Sequence, residues 1–511
     1  MKIYVIASVL AIVLLMMPAA VSGAETEYSE VTLYDGTQYW YETFGTDHGG
    51  ADPYHATINH VAADTEVLYI STVLEGYNVW EICDNAFAGC AGVKAVVIPQ
   101  MIKRIGAGAF AGCAGLEEAY FLGDRPSYIA PDAFPSGVTI YCAEGSSGWG
   151  SVPKMNEFTR TSADGSSVTY LIIHGEAMAA EGTPSPGGSV AILDEVNGYP
   201  VTSIGPYSFS GTYGAESVTP RTDIMNVHIP EGVTVIRERA FYYNTSLKSV
   251  SMPQGLVTIM DEAFRAASSL GTADMPDGLA YIGFEAFREC ASMKKIIIPD
   301  QVTFVGEGAF KICTGAESIR IGRGVTKIIA WTFQYCTSAA DLEIAGDVTE
   351  IGASAFHRCI SLTSVSLPDT VASIGQDAFW SCVSMEHIYL GKGLIEIGRG
   401  AFAECPSLNN VRVPDTVASV SSRAFAYCSG MTDIYFEGRR PVFGDSVFLN
   451  IDPVIHVTKA NKGSWDGSEW NVVTDGDGTS ITAAALAAAA ALAAAAAGAI
   501  LIIRNRSRKH M

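Results

Sequence analysis

The chain has 511 residues, of which 54 are acidic and 32 are Lys or Arg, so its formal net charge is −22 at pH 7. An apolar content of 48% excludes a disordered acidic chain, because that many apolar residues can bury a large core. No nucleic-acid partner is expected, since the bulk of the chain offers no basic surface for phosphates.

The first 24 residues have the pattern of a secretory signal peptide. Lys2 precedes an apolar run from Ile3 to Met17, and small residues up to Ala24 provide a plausible cleavage site. An uncleaved membrane anchor is the alternative interpretation. The signal predicts that the folded part of the chain is exported.

A pair made of a small residue and Phe recurs along the chain, which indicates an internal repeat. From Phe241 to Phe448 all nine steps between these pairs are 23 residues long. Phe209 precedes this series by 32 residues, which predicts an insertion near residues 211–222. A shorter series lies upstream, at Phe87, Phe110 and Phe134.

One clear copy of the repeat is residues 351–374, IGASAFHRCISLTSVSLPDTVASI. Val365 and Leu367 alternate with polar residues as in a half-buried strand, and Pro368 ends that strand because proline cannot donate to a ladder. A short helical segment is expected to open at each small residue–Phe pair. One coil cannot bury its own apolar edge, whereas stacked coils share a core. The sequence therefore predicts an α/β solenoid of 23-residue repeats with one short parallel β-strand per coil.

The L-x-x-V-x-I-P strand, the I-G-x-x-A-F turn and the 23-residue period resemble the BspA-like class of leucine-rich repeats. The resemblance covers most of residues 77–458. It implies a right-handed solenoid with a concave strand face. It also implies a microbial surface protein, since members of this class are surface proteins and some are adhesins.

Matching end segments indicate two stacked arrays with β-rich caps. Gly-Asp-Arg-Pro at 123–126 and Gly-Arg-Arg-Pro at 438–441 each lead through a last strand into a Gly-, Ser- and Trp-containing cap. The predicted division is 1–24 signal peptide, 25–76 N-terminal β-rich cap, 77–155 first short leucine-rich-repeat array with its end cap, 156–203 β-rich linker or cap, 204–458 second long array, 459–480 end cap and linker, 481–503 transmembrane helix, and 504–511 cytoplasmic basic tail.

The segment from Ile481 to Ile503 is predicted to anchor the chain in a membrane. It has 23 uncharged residues, and as a helix it would be ~34 Å long, enough for a ~30 Å hydrocarbon core. Basic residues from Arg504 to Lys509 follow at once, as expected on the cytoplasmic side. A soluble Ala-rich helix is the alternative. The predicted topology is a single pass with the N-terminal part outside the cell and the C-terminus in the cytoplasm.

Nine of the eleven cysteines lie three residues after a repeat Phe, and this register is shared by Asn244 and Ala267. A position that accepts Cys, Asn and Ala is typical of a small buried slot, so packed free thiols are favoured. Disulfides between adjacent coils, ~4.8 Å apart, remain the alternative. Zinc is less favoured because no C-x-x-C motif occurs. Cys83 and Cys142 lie outside this register.

No established catalytic motif occurs, so neither an enzyme nor a cofactor is predicted, and a hydrolase site in a cap is a minor alternative. Receptor signalling is a further alternative, but the eight residues after Ile503 are too few to form a kinase domain.

The outward positions of the repeat strands are the predicted binding surface. Tyr and Arg, which are enriched in interface hot spots, concentrate near the C-terminal end of the second array. The candidate residues are His387, Tyr389, Asn410, Arg412, Asp433 and Tyr435. Variable solvated positions are the alternative interpretation. The predicted function is a membrane-anchored surface protein that binds an extracellular protein or glycan in adhesion or recognition; a structural spacer without a specific ligand is the second hypothesis.

Overall fold

The computed structural model describes residues 29–33, 36–44, 55–213 and 218–475. The predicted signal peptide, transmembrane helix and cytoplasmic tail lie outside the described residues. Within the described ranges, no helix has the length and apolar character needed to cross a membrane.

The described chain is a parallel β-solenoid, and the predicted 23-residue coils with one short strand each are confirmed. Successive strands of three to five residues pair in register and form what we call the strand face. A two-residue strand elsewhere in each coil forms a second ladder; for example Lys327–Ile328 pairs with Glu350–Ile351, and Glu350–Ile351 with Ser373–Ile374.

The first array combines an antiparallel N-terminal sheet with parallel coils. Its strands are β1 (Ser29–Thr32), β2 (Gln38–Phe44), β3 (His55–Ala62), β4 (Val67–Tyr69), β5 (Val73–Leu74), β6 (Tyr77–Ile82), β7 (Ala95–Ile98), β8 (Arg104–Ile105), β9 (Glu118–Phe121), β10 (Tyr128–Ile129) and β11 (Thr139–Cys142). One sheet has the order β1-β2-β3-β6-β8-β10, with β5 paired to β6. The strand face of this array has the order β11-β9-β7-β4.

The second array begins in the same way, with an antiparallel sheet followed by parallel coils. Its first strands are β12 (Glu157–Thr161), β13 (Ser167–Ile173), β14 (Glu176–Thr183), β15 (Ser189–Ala191), β16 (Glu195–Val196), β17 (Tyr199–Ile204), β18 (Thr212–Tyr213), β19 (Val218–Thr219), β20 (Asn226–His228), β21 (Val235–Ile236), β22 (Ser249–Ser251), β23 (Thr258–Ile259), β24 (Tyr281–Ile282), β25 (Lys295–Ile297) and β26 (Phe304–Val305). The hairpin β18-β19 occupies the place where the 32-residue step predicts an insertion.

The remaining coils alternate the two kinds of strand to the end of the described chain. These strands are β27 (Ser318–Ile321), β28 (Lys327–Ile328), β29 (Asp341–Ile344), β30 (Glu350–Ile351), β31 (Ser364–Ser366), β32 (Ser373–Ile374), β33 (His387–Tyr389), β34 (Glu396–Ile397), β35 (Val411–Val413), β36 (Ser419–Val420), β37 (Asp433–Phe436), β38 (Val442–Phe443), β39 (Val454–Thr458) and β40 (Val472–Asp475). The strand face here runs β15-β20-β22, then β25-β27-β29, then β31-β33-β35-β37-β39-β40.

The segment around each repeat Phe is a series of turns, where the sequence predicted a short helix. Most coils place a left-handed residue two positions before the Phe and another two positions after it, as at Ser354 (φ 52°) and Arg358 (φ 58°) around Phe356. An α-helix cannot include such residues, because left-handed backbone breaks its hydrogen-bond pattern. The only helical element in the described chain is a 3-10 turn, Lys462–Trp465.

Two side-chain ladders fill the core of the second array. The repeat Phe rings stack coil on coil, with centroids 5.1 Å apart for Phe356 and Phe379. Beside them, each ladder cysteine from Cys290 onward donates its thiol to the backbone carbonyl of the Phe of the preceding coil, as Cys359 does to Phe333 at 3.2 Å. All eleven cysteines are free thiols in the structure, and Cys83 alone is not fully buried.

Asn244 and Ala267 show what the ladder position requires. Asn244 is fully buried, and its side-chain amide donates to the carbonyl of Phe209 at 3.2 Å. It therefore makes the same kind of hydrogen bond as the ladder cysteines. Ala267 has no donor to offer the carbonyl of Phe241. The ladder therefore selects a small side chain, with a polar hydrogen where one is available.

Ala267→Cys is expected to stabilise the second array, because the new thiol fills the slot and donates to the Phe241 carbonyl. Cavity filling and one hydrogen bond are together worth about 0.5–2 kcal/mol. A urea midpoint higher than that of the unaltered chain under reducing conditions is the expected result. A lower midpoint would contradict the prediction, because it would show that this coil packs tightly against Ala267 and has no space for a larger side chain.

The two arrays are in contact, and this contact covers the strand face of the first array. Most outward side chains of the first array are apolar, and several of them form one buried cluster with the β13-β14 hairpin of the second. The cluster is Ala95, Val97, Tyr120, Met155, Leu171, Ile173 and Met178. A second set of contacts adds charge: the guanidinium of Arg239 donates to the side chain of Asn78, and the hydroxyl of Ser71 donates to the carboxylate of Glu238.

Candidate functional site

The strand face of the second array remains open, and its outward residues form rows. Along β31 and β33 the inward side chains are Val365 and Ile388, while the residues on either side of them are exposed. In-register pairing places Tyr389 beside Arg412, and Arg412 beside Tyr435. Parallel register thus brings together three residues that are 23 positions apart in the sequence.

Tyr389, Arg412, Tyr435 and His456 form a row, which we call the aromatic row, and ring contacts join its last three members. The Arg412 guanidinium carbon lies 4.5 Å from the centroid of the Tyr435 ring. Tyr435 in turn stacks on His456, with centroids 4.3 Å apart. Tyr435 lies between Arg412 and His456 and is therefore only 8% exposed, whereas Tyr389 is 42% exposed. The two residues that present themselves to solvent are Tyr389 and Arg412.

Hydrogen bonds fix the orientation of Tyr389. Its hydroxyl donates to the carboxylate of Asp369 at 2.7 Å. Partial burial, and then this hydrogen bond, raise the pKa of Tyr389 to about 12, while the same bond holds the pKa of Asp369 below its usual range. At neutral pH the phenol is therefore protonated and the carboxylate ionised.

The other predicted residues lie on the neighbouring row or beside it. Asp433 accepts a hydrogen bond from Thr432 and lies 2.7 Å from Nε2 of His456, and these contacts, in that order, lower the pKa of its carboxyl. His387 is exposed and pairs in register with Ser364. Asn410 precedes β35 in left-handed backbone (φ 48°).

His456 and Asp369 belong to the same surface, although the sequence did not single them out. His456 lies on β39, and its distance from Tyr435 is 21 residues rather than 23. Alignment of the last strand by its Val-Ile-His-Val alternation, rather than by the period, would have found it. Asp369 follows Pro368 at the end of a repeat strand, where the pattern of the repeat indicates only a turn.

This surface exposes one cation and one aromatic ring to solvent. Arg412 offers a planar guanidinium within 3.9 Å of Glu437, and Tyr389 offers an exposed ring with a fixed hydroxyl. Across the described ranges, no group of three or more His, Cys, Asp or Glu side chains is arranged to hold a metal ion. Flat strands with one exposed cation and one exposed ring suit contact with a second surface.

The geometry is that of a parallel β-solenoid protein, and comparison with protein families identifies the type of repeat. The model of the BspA type leucine-rich repeat region matches residues 70–140, 202–340 and 330–455. The chain therefore belongs to the BspA-type leucine-rich-repeat family, which is a family of cell-surface proteins whose solenoids are typically non-enzymatic scaffolds. No curated protein matches this chain significantly.

Several solved structures are similar to this chain at low identity. A leucine-rich repeat protein from Bacteroides ovatus ATCC 8483 is 21% identical, covering 60% of this chain and 98% of its own, with a TM-score of 0.31. A leucine rich cell surface protein from Faecalibacterium prausnitzii A2-165 is 19% identical, with 81% and 89% coverage and a TM-score of 0.27. The pneumococcal vaccine antigen PcpA is 13% identical, with 88% and 99% coverage and a TM-score of 0.33. Similarity at this level transfers no function.

Proposed function

We propose that this protein is a membrane-anchored binding protein of the cell surface, which recognises an extracellular protein or glycan through the C-terminal part of its strand face. The observation that carries the proposal is the aromatic row, in which Arg412 is stacked and exposed beside Tyr389. Arg and Tyr dominate binding hot spots because they offer large rigid contacts with a polar group at the end.

Two further features support this assignment. The predicted signal peptide and C-terminal anchor would place the solenoid outside the cell, where a microbial surface protein meets its partners. The strand face of the first array is covered by the β13-β14 hairpin, so the open strand face belongs to the second array. Adhesion to a surface or to another cell is the role that this arrangement fits best.

Replacing Tyr389 and Arg412 together with Ala is expected to weaken partner binding at least tenfold, since loss of one hot spot costs ~1.4 kcal/mol or more. The measurement is adhesion of cells displaying the full chain to a panel of purified extracellular-matrix proteins and to a glycan array. Tyr435 is left unchanged because it is buried and its removal would disturb the fold.

The matched control is Arg423→Ala with Tyr427→Ala on the turn edge of the same array, where Tyr427 is 46% exposed. This control is expected to bind as the unaltered chain does. Equal binding by the strand-face variant would reject the aromatic row as the contact surface. Failure of the unaltered chain to retain any partner across both panels would favour the spacer hypothesis.

A further inference from the structure

A cavity of about 310 Å³ lies at the junction of the two arrays, at the edge of the buried cluster that joins them. Both arrays contribute to its walls. The polar and aromatic lining residues are Glu118 and Tyr120 on β9, Tyr141 on β11, Asn156, His174 after β13, and Tyr199 on β17. Small-molecule sites commonly occur at such domain interfaces and have volumes of roughly 300–1,000 Å³. The volume at the lower end of this range fits a ligand of one ring.

One wall of the cavity is a preorganised polar cluster. The Tyr120 hydroxyl donates to Oε2 of Glu118 at 2.8 Å, and Nδ1 of His174 lies 3.0 Å from the same oxygen. The backbone N–H of His174 donates to the Tyr120 oxygen at 3.2 Å. These contacts join the arrays across 56 positions of sequence and hold the carboxylate in one orientation. They leave Oε1 of Glu118 as the carboxylate oxygen that makes neither of these contacts.

The other walls are aromatic and have free polar groups. Tyr120 and Tyr141 stack with their centroids 5.1 Å apart and their planes 14° from parallel. Across the part of the chain that the structure describes, the hydroxyls of Tyr141 and Tyr199 and the amide of Asn156 make no hydrogen bond to protein. The cavity therefore combines flat rings with two hydroxyls and one amide that are free to bind a ligand.

We propose that this cavity binds a single pyranose ring, such as a terminal sugar of a glycan. A sugar ring has an apolar C–H face that stacks on an aromatic side chain and a rim of hydroxyls that need both donors and acceptors. Tyrosine hydroxyls and a primary amide supply both, and the remaining oxygen of Glu118 is a further acceptor. The site is separate from the aromatic row and does not depend on the proposed function of that row.

The test is saturation-transfer NMR of the full chain with glucose, galactose, mannose, N-acetylglucosamine and N-acetylneuraminic acid, with choline as the cationic competitor. At least one sugar is expected to bind with a Kd on the order of 1 mM. Tyr141→Ala and Asn156→Ala are each expected to weaken that binding about tenfold, or ~1.4 kcal/mol. Tyr141→Phe keeps the ring and is expected to lose less than Tyr141→Ala.

The control is Tyr427→Ala on the turn edge of the second array, where Tyr427 is 46% exposed, and this variant is expected to leave sugar binding unchanged. Circular dichroism of every variant establishes that the solenoid is intact. Failure of all five sugars to bind, binding of choline in their place, or sugar binding that survives Tyr141→Ala in a folded chain would each overturn the proposal.

Discussion

Raising the pH to 10 is expected to destabilise the second array strongly, because its buried thiols cannot ionise without leaving the core. Its seven ladder cysteines are Cys290, Cys313, Cys336, Cys359, Cys382, Cys405 and Cys428, each with 0% exposure. Burial raises the pKa of Cys313, Cys359 and Cys428 to about 12 and raises the pKa of the other four well above its ordinary value.

The direction of the effect follows from proton binding. Above a pH of about 8.5, the thiols of the unfolded chain lose protons that the folded chain keeps, so the free energy of unfolding falls as the pH rises. Below a pH of about 8.5 the free energy of unfolding is unaffected by the thiols. Above it, the free energy of unfolding falls until the pH reaches the pKa of the thiol in the folded chain. At pH 10 each thiol lowers the free energy of unfolding by about 2 kcal/mol, so the seven together lower it by about 14 kcal/mol. At roughly 0.05–0.15 kcal/mol per residue, the whole second array has a stability of about 13–38 kcal/mol, so this loss removes a large part of it.

The measurement is urea unfolding of the full chain between pH 7 and pH 10.5 with a reductant present, and Cys359→Ala separates thiols from other ionising groups. At pH 7 this variant is expected to be less stable by about 1–2 kcal/mol, through the lost volume and the lost hydrogen bond to Phe333. The gap should close near pH 10, because the variant has one thiol fewer to ionise. A gap that stays constant with pH would contradict the role of the thiol.

The sequence predicted the coils well because their period constrains packing directly. A Phe every 23 residues can stack only if each coil adds one rung, and the structure has this stack from Phe209 to Phe448. The cysteine slot was also predicted as small and buried. Its hydrogen bond to the preceding Phe carbonyl was not, because a repeat pattern shows which side chains point inward but not which backbone atom each one meets.

The contact between the arrays could not be predicted from the period, since it joins residues in unlike segments. Val97 and Tyr120 of the first array pack on Leu171 and Met178, which lie in the β13-β14 hairpin outside the repeats. A signal was nevertheless present: outward positions of the first array are mostly apolar, whereas those of the second are mostly polar. The partial burial of the aromatic row has a similar cause, since Tyr435 is covered by His456 from the end of the array.

Glu262→Gln is expected to destabilise the coils next to the array junction by about 3–5 kcal/mol, because it leaves buried cations without their anion. The Glu262 side chain is 0% exposed and pairs with both Arg239, which is 4% exposed, and Arg265, at 2.7 Å. Burial alone would raise the pKa of Glu262, but the two guanidinium groups hold it below its usual range. Hydrogen exchange of the amides of residues 236–290 measures this local stability.

The double replacement Arg239→Met with Glu262→Leu distinguishes the effect of the ion pair on local stability from the contact that Arg239 makes with the first array. An apolar pair removes both buried charges, so stability near that of the unaltered chain is expected, and Arg265 keeps its contact with Glu285 at 3.0 Å. Arg239 also donates to Asn78 of the first array, and that bond is lost in the double variant. Faster exchange confined to the first array would then assign Arg239 to holding the arrays together. Equal destabilisation by the single and double replacements would show that packing, rather than charge, determines the cost.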